Sequence, residues 1–107
     1  MTIVTIGNGV MSIGFSAFYE CGNLTTVTMG DSITSIGESA FFNCNSLITV
    51  YYLGGEENWR KVVIGAKNDK LKNATIRYYS ETQPTDNGNY WHYDTDGKTP
   101  VAWKKEN

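Results

Sequence analysis

Leu24-x-x-Val27-x-Met29 ends in alternating apolar and polar positions, the pattern of a half-buried strand. Gly30-Asp31-Ser32 follows as a turn cluster, and Ile33-x-x-Ile36-Gly37 as a second, shorter extended piece. Glu38-Ser39-Ala40-Phe41-Phe42-Asn43-Cys44 carries no β-branched residue and is long enough for about two helical turns. Leu47 then restarts the strand pattern. The predicted unit is strand, turn, short strand, helical turn and return.

The same order of positions occurs one period earlier. Aligned without a gap, residues 4–26 and 27–49 are identical at 12 of 23 positions, among them Val4/Val27, Ile13/Ile36, Phe18/Phe41, Cys21/Cys44 and Leu24/Leu47. A 23-residue self-similarity is the mark of a solenoid, in which each coil has too little interior to be stable alone and is covered by its neighbours. Coils stacked at the ~4.8 Å strand spacing would set identical side chains on one another: Ile13 on Ile36, Phe18 on Phe41, and Val4 on Val27 on Val50. Periodicity alone then accounts for Cys21 and Cys44 as small buried apolar side chains; a disulfide or reactive thiol pair is the other reading.

A third coil departs from the pattern. Val50-Tyr51-Tyr52-Leu53 continues the strand, and Gly54-Gly55 leads into a predicted helix whose first turn holds Glu56 and Glu57, favourable to the helix dipole. Val63-Ile64-Gly65 resembles Ser35-Ile36-Gly37, and Leu71-x-x-Ala74-x-Ile76 repeats Leu47-x-x-Val50-x-Tyr52 with a 24-residue spacing. A fourth rung is therefore expected at Ala74–Tyr78, with Trp59 as a lid on the core. An atypical last repeat is the character of a cap.

Residues 80–89 are polar and turn-rich and read as a linker or loop. Beyond them Asp96-Gly97, between aromatic alternating flanks, predicts a β-hairpin within 90–107, with Trp91 and Tyr93 on one face of its first strand and Val101 and Trp103 sharing a face of its second. Six of the chain's ten Trp and Tyr residues fall at 78–103. So short a hairpin has little core of its own, so it either docks on the solenoid or presents aromatics to a ligand. The candidate ligand-contact residues are Tyr90, Trp91, Tyr93 and Trp103. The domain expectation is a solenoid over 1–79, with coils at about 4–26, 27–49 and 50–79, a loop at 80–89 and a hairpin cap or tail at 90–107.

Composition narrows the function classes. Hydrophobic residues make up 40% of the chain and charged residues 19%, with a net charge of −2, which argues against nucleic acid or an anionic membrane surface as partner. Arg60, Lys61, Lys67, Lys70 and Lys72 cluster, but Glu56, Glu57 and Asp69 dilute them into a solvated surface. No apolar run approaches the ~20 residues of a membrane span. Met1-Thr2-Ile3-Val4-Thr5 lacks the features of a signal peptide and opens directly into strand-like sequence, so the chain is expected to be the C-terminal piece of a longer protein. With His92 the single histidine, no catalytic triad, metal site or cofactor motif is read. Gly7-Asn8-Gly9 lacks the spacing of a phosphate loop. Asp94 and Asp96 are turn residues first, and the sequons at Asn23 and Asn73 are treated as coincidence.

The unit at 24–47, Leu-x-x-Val-x-Met-Gly-Asp-Ser-Ile-x-Ser-Ile-Gly-x-x-Ala-Phe-x-x-Cys-x-x-Leu, resembles the BspA-like leucine-rich repeats, although Gly7 and Gly30 stand where that family usually has proline. The resemblance implies an α/β repeat solenoid from a bacterial cell-surface or secreted protein, non-catalytic and associated with adhesion to host proteins and other cells. Trp91-x-Tyr93-x-x-Asp96-Gly97-Lys98-x-x-x-x-Trp103 also resembles one unit of choline- or glucan-binding repeats, in which aromatic faces hold a cation or sugar. Three roles follow as expectations: recognition of a protein or glycan on host or neighbouring cells, a purely structural cap for a longer solenoid, and carbohydrate or cell-wall binding through 90–103. The first coil also presents an unpaired edge, so some homodimerisation through it is expected.

Overall fold

A computed structural model describes residues 2–86 and 88–103; residues 104–107 of the expected hairpin lie outside the described residues. The elements in chain order are β1 (Thr2–Ile6), β2 (Ser12–Ile13), β3 (Leu24–Met29), β4 (Ser35–Ile36), β5 (Thr49–Tyr52), α1 (Glu56–Lys61), β6 (Val63–Ile64), α2 (Asp69–Asn73), β7 (Thr75–Tyr79), β8 (Tyr90–Tyr93) and β9 (Pro100–Ala102). They form a solenoid with two sheets. One has six strands in the order β1-β3-β5-β7-β8-β9, and the other has three in the order β2-β4-β6. Pairing is parallel except between β8 and β9.

The register sets equivalent residues side by side. Val4 pairs with Val27, Val27 with Val50 and Val50 with Ile76, at steps of 23, 23 and 26 residues. Ile13 pairs with Ile36 and Ile36 with Ile64, at steps of 23 and 28. These side chains and their neighbours point between the sheets, where Val27, Met29, Phe41, Cys44 and Val50 are wholly excluded from solvent. Phe18 stacks on Phe41 with ring centroids 5.2 Å apart and planes 17° from parallel. Burial of each such ring contributes roughly 1.5–3 kcal/mol. Both cysteines are free, and the Cys44 thiol donates to the Phe18 carbonyl at 3.1 Å.

Two expectations need correction. The fourth rung is not spaced 24 residues from the third: Val50 faces Ile76 and Tyr52 faces Tyr78. The step from β4 to β6, which contains α1, is five residues longer than the 23-residue period, and two residues are lost between β6 and β7, where α2 replaces the tight turns of the earlier coils. The segment 38–44 is also not helical. Ser39 and Asn43 have φ of 60° and 56°, as Ser16 and Glu20 do at 56° in the coil before. Left-handed residues four apart end any right-handed helix. They also rotate the peptide units along the stacking axis. Ser16, Phe18 and Glu20 thereby donate their amides to the carbonyls of Glu38, Ala40 and Phe42 in the next coil. This face is thus a third hydrogen-bonded ladder.

In the third coil α1 carries Glu56 and Glu57 in its first turn and Arg60 and Lys61 in its last, the arrangement the helix dipole favours. Its Trp59 is partly buried against the core and meets Tyr52 edge-on at 5.1 Å. The ladder amide of Phe41 has no backbone acceptor here; it donates to Asn68 Oδ1 at 2.9 Å. Asn68 Nδ2 in turn donates to the carbonyls of Gly37 at 3.1 Å and Gly65 at 2.9 Å. One buried amide side chain, 1% exposed, thus joins the regular coils to the irregular one.

Candidate recognition surface

Side chains alternate across a strand, so the register that sends valines inward sends a second set outward. The outward face of the large sheet carries two rows: Ile3, Thr26, Thr49 and Thr75, and beside it Thr5, Thr28, Tyr51 and Arg77. Ile3 and Thr5 are exposed, and Thr26, Thr49, Thr75, Tyr51 and Arg77 are half-buried. Thr28 is 3% exposed, and its hydroxyl has no hydrogen-bond partner among the described residues. Parallel pairing of successive coils produces this surface: a strip mainly of hydroxyls and methyls at strand spacing, in which Arg77 is the single charge.

One side of the strip is walled by aromatics. Trp91, on β8, meets Tyr51 edge-on at 5.3 Å, Tyr79 at 5.2 Å and Tyr93 at 4.8 Å. Its indole N–H donates to the Tyr52 carbonyl at 2.8 Å. Trp91 is fully buried, so it offers no ring face to a ligand. The hairpin joins the sheet by parallel pairing of Tyr78 with Tyr90 and Tyr79 with Trp91.

The four expected ligand-contact residues are therefore divided. Trp91 and Tyr93 stand together on the outward side of β8, and Tyr93 keeps a half-exposed ring. Tyr90 and Trp103 are half-buried and separately tied. The Tyr90 hydroxyl donates to Asp86 Oδ2 at 3.0 Å, and this bond, ahead of burial and the Asp86 charge, raises its pKa. Trp103 packs against His92 with ring centroids 4.0 Å apart and planes tilted by 36°, and its indole N–H donates to the Ser80 carbonyl at 2.7 Å. Asp94 and Asp96 order the hairpin loop: Asp94 accepts from the amide of Thr95, and Asp96 from the amides of Lys98 and Thr99 and the Thr99 hydroxyl.

Sequence reading passed over the threonine rows, because polar residues alternating with apolar ones look like any solvated strand face. The available signal was their coincidence across coils: Thr5 with Thr28, and Thr26 with Thr49, fall at the same place in the period.

The profile of the family described as BspA type Leucine rich repeat region (6 copies) matches residues 1–80. The chain belongs to that family. No curated protein and no solved structure matches it. BspA-type repeats are commonly protein-binding modules, generally non-enzymatic, of surface or secreted proteins. Among the described residues no helix is long and apolar enough to cross a membrane.

Proposed function

We propose that this BspA-type chain is a non-catalytic recognition module of a bacterial surface or secreted protein, and that it binds a protein on host or neighbouring cells through the outward face of its large sheet. The observation that carries this reading is the aligned row Ile3-Thr26-Thr49-Thr75, with Thr5, Tyr51 and Arg77 accessible beside it and Thr28 buried between them. A nearly uncharged surface of methyls and hydroxyls, edged by tyrosine and arginine, suits a protein interface better than a small-molecule pocket. In this reading residues 1–79 are the binding solenoid and residues 80–89 a connecting loop. The hairpin at 90–103 is structural, closing the edge of β7; buried Trp91 favours that role.

A photo-crosslinking residue placed at Thr49, and separately at Phe15 off this face, tests the reading on cultured host cells. Adducts with cell-surface protein are expected from position 49 alone. Adducts only from position 15, or none from either, would remove it. A glycan array addresses carbohydrate binding through 90–103: a signal lost in Tyr93→Ala or Trp103→Ala would move the function to the hairpin.

A further inference from the structure

The third coil leaves the second at one point and rejoins it at another. The Leu53 amide donates to the Met29 carbonyl at 2.9 Å, and the Val63 amide to the Thr34 carbonyl at 3.0 Å. Between these bonds residues 54–62, α1 among them, take the place that residues 30–33 hold in the second coil. One coil earlier the two turns pack directly, since a Cβ on Gly30 would strike both the side chain and the backbone of Asn8. Beside α1 the longer detour leaves a cleft of about 210 Å³ instead.

The cleft has an apolar floor and a charged rim. Ile33, Tyr52 and Val62 are buried, while Asp31, Asn58 and Lys61 are exposed. Asp31 and Lys61 carry opposite charges but make no ion pair; Arg60 with Glu56 is the one such pair among the described residues. Both charges therefore remain open to a ligand. Tyr52 is 1% exposed, and its hydroxyl makes no hydrogen bond to any described residue. A buried hydroxyl without a partner is costly, and a ligand that reaches it recovers the loss. Burial, and after it the nearby Asp31 charge, raises the pKa of this phenol, so it keeps its proton for donation.

We propose that this cleft binds a free α-amino acid with a small apolar side chain, its ammonium against Asp31, its carboxylate against Lys61 and its side chain over Ile33 and Val62. Three observations select that class. Unpaired charges of both signs around one small cleft match a zwitterion, whereas a lone cation or anion would meet a like charge. The volume is below that of a pocket for drug-sized ligands and suits a single residue-sized molecule. The Tyr52 ring is closed to stacking, because Trp59 meets it edge-on at 5.1 Å and a Cβ on Gly54 would strike it. A sugar or a quaternary ammonium would therefore find no aromatic face. Asn58 and the Tyr52 hydroxyl complete the hydrogen bonds of the two charged groups. This goes beyond the recognition role proposed above and does not depend on it.

Amide chemical shifts of the whole chain, followed by NMR as L-valine is added, test it. Saturable shifts confined to residues around the cleft are expected, with a Kd of roughly 1 mM, the strength that a few exposed polar contacts support. Asp31→Asn and Lys61→Met, at exposed positions that leave the core intact, are each expected to weaken binding about tenfold. Tyr52→Phe keeps the ring, removes the hydroxyl and is expected to weaken binding less. Isobutylamine lacks the carboxylate and isovalerate lacks the ammonium, so each should bind far more weakly than valine, and D-glucose should not bind. No saturable shift, valine binding unchanged in any of the three variants, or binding of isobutylamine, isovalerate or D-glucose as tight as that of valine would overturn the proposal.

Discussion

The first two coils and the rest of the molecule, from residue 50 on, are held together by different physics. In the coils identical apolar side chains lie on one another, Val4 on Val27 and Phe18 on Phe41, and backbone amides pair at every level. In the C-terminal part, equivalence is lost, and single directional contacts replace the ladder. Asn68 bridges three backbone groups, Trp91 and Trp103 each donate an indole N–H to a distant carbonyl, and Asp96 gathers a loop. A ladder distributes its stabilisation over many weak contacts, while an anchor concentrates it in one residue. The lesson is that degeneration of a repeat moves stability from pattern to particular side chains.

The largest effect should come from the ladder's most enclosed rung. Phe41→Ala is expected to cost about 3–5 kcal/mol in chemical unfolding, because a wholly buried ring leaves a cavity. Phe18→Ala removes the same ring one coil earlier, where it is only partly covered, and should cost clearly less. Equal losses at dilution low enough to keep the chain monomeric would break the argument that position in the stack decides the value of a rung.

Asn68 tests the opposite principle. Asn68→Ala strands the buried amide of Phe41 and takes the Asn68 donor from the Gly65 carbonyl, while the Gly37 carbonyl keeps the Ala40 amide, a loss of about 3 kcal/mol. Asn68→Asp keeps the acceptor for Phe41 but faces both carbonyls with a carboxylate, so it should be no milder than alanine. If aspartate restores wild-type melting, the two donated bonds carry no weight and the joint is held by Phe41 alone.

How much of this was legible in the chain follows the same division. A repeat identifies partners by equivalence, and that is why the Phe18–Phe41 stack could be named before any coordinates. The left-handed backbone at Ser39 and Asn43 could not, since absence of β-branching is compatible with helix and with tight turns alike. The third coil's register was misread because Leu71-x-x-Ala74-x-Ile76 copies the apolar spacing of the preceding strand. The true alignment turns on where α1 is inserted, and apolar spacing carries no record of that. Asn68 belongs to no periodicity at all. Of the four residues singled out in the hairpin, Trp91 proved to be its anchor, buried by tyrosines from β5 and β7 that a local reading of 90–103 does not contain.

Trp91→Phe keeps an aromatic ring and deletes the N–H that bonds to Tyr52. The combined loss of a buried hydrogen bond and some ring volume is about 2 kcal/mol. The decisive readout is local. Amides of β8 should exchange faster while those of β3 keep their protection, since the ladder does not depend on this anchor. Uniform acceleration would mean that hairpin and coils unfold as one unit and would erase the comparison.

The smallest effect is electrostatic and confined to the hairpin loop. Asp96 is fully exposed, yet the Thr99 hydroxyl at 2.6 Å, then the amides of Lys98 and Thr99, hold its pKa below the ordinary carboxylate value. A carboxyl whose folded value is depressed stabilises the ordered loop at pH above its unfolded value, and that contribution fades as pH falls through the folded one. The expected result is an Asp96 carboxyl titration displaced to low pH in NMR, with the Lys98 and Thr99 amides losing protection in acid while β3 is untouched. Thr99→Val removes the strongest of the three donors and should bring the midpoint back toward the ordinary range. If the midpoint stays where it was, the two backbone amides alone hold the carboxylate, and the loop is an Asx turn that needs no threonine.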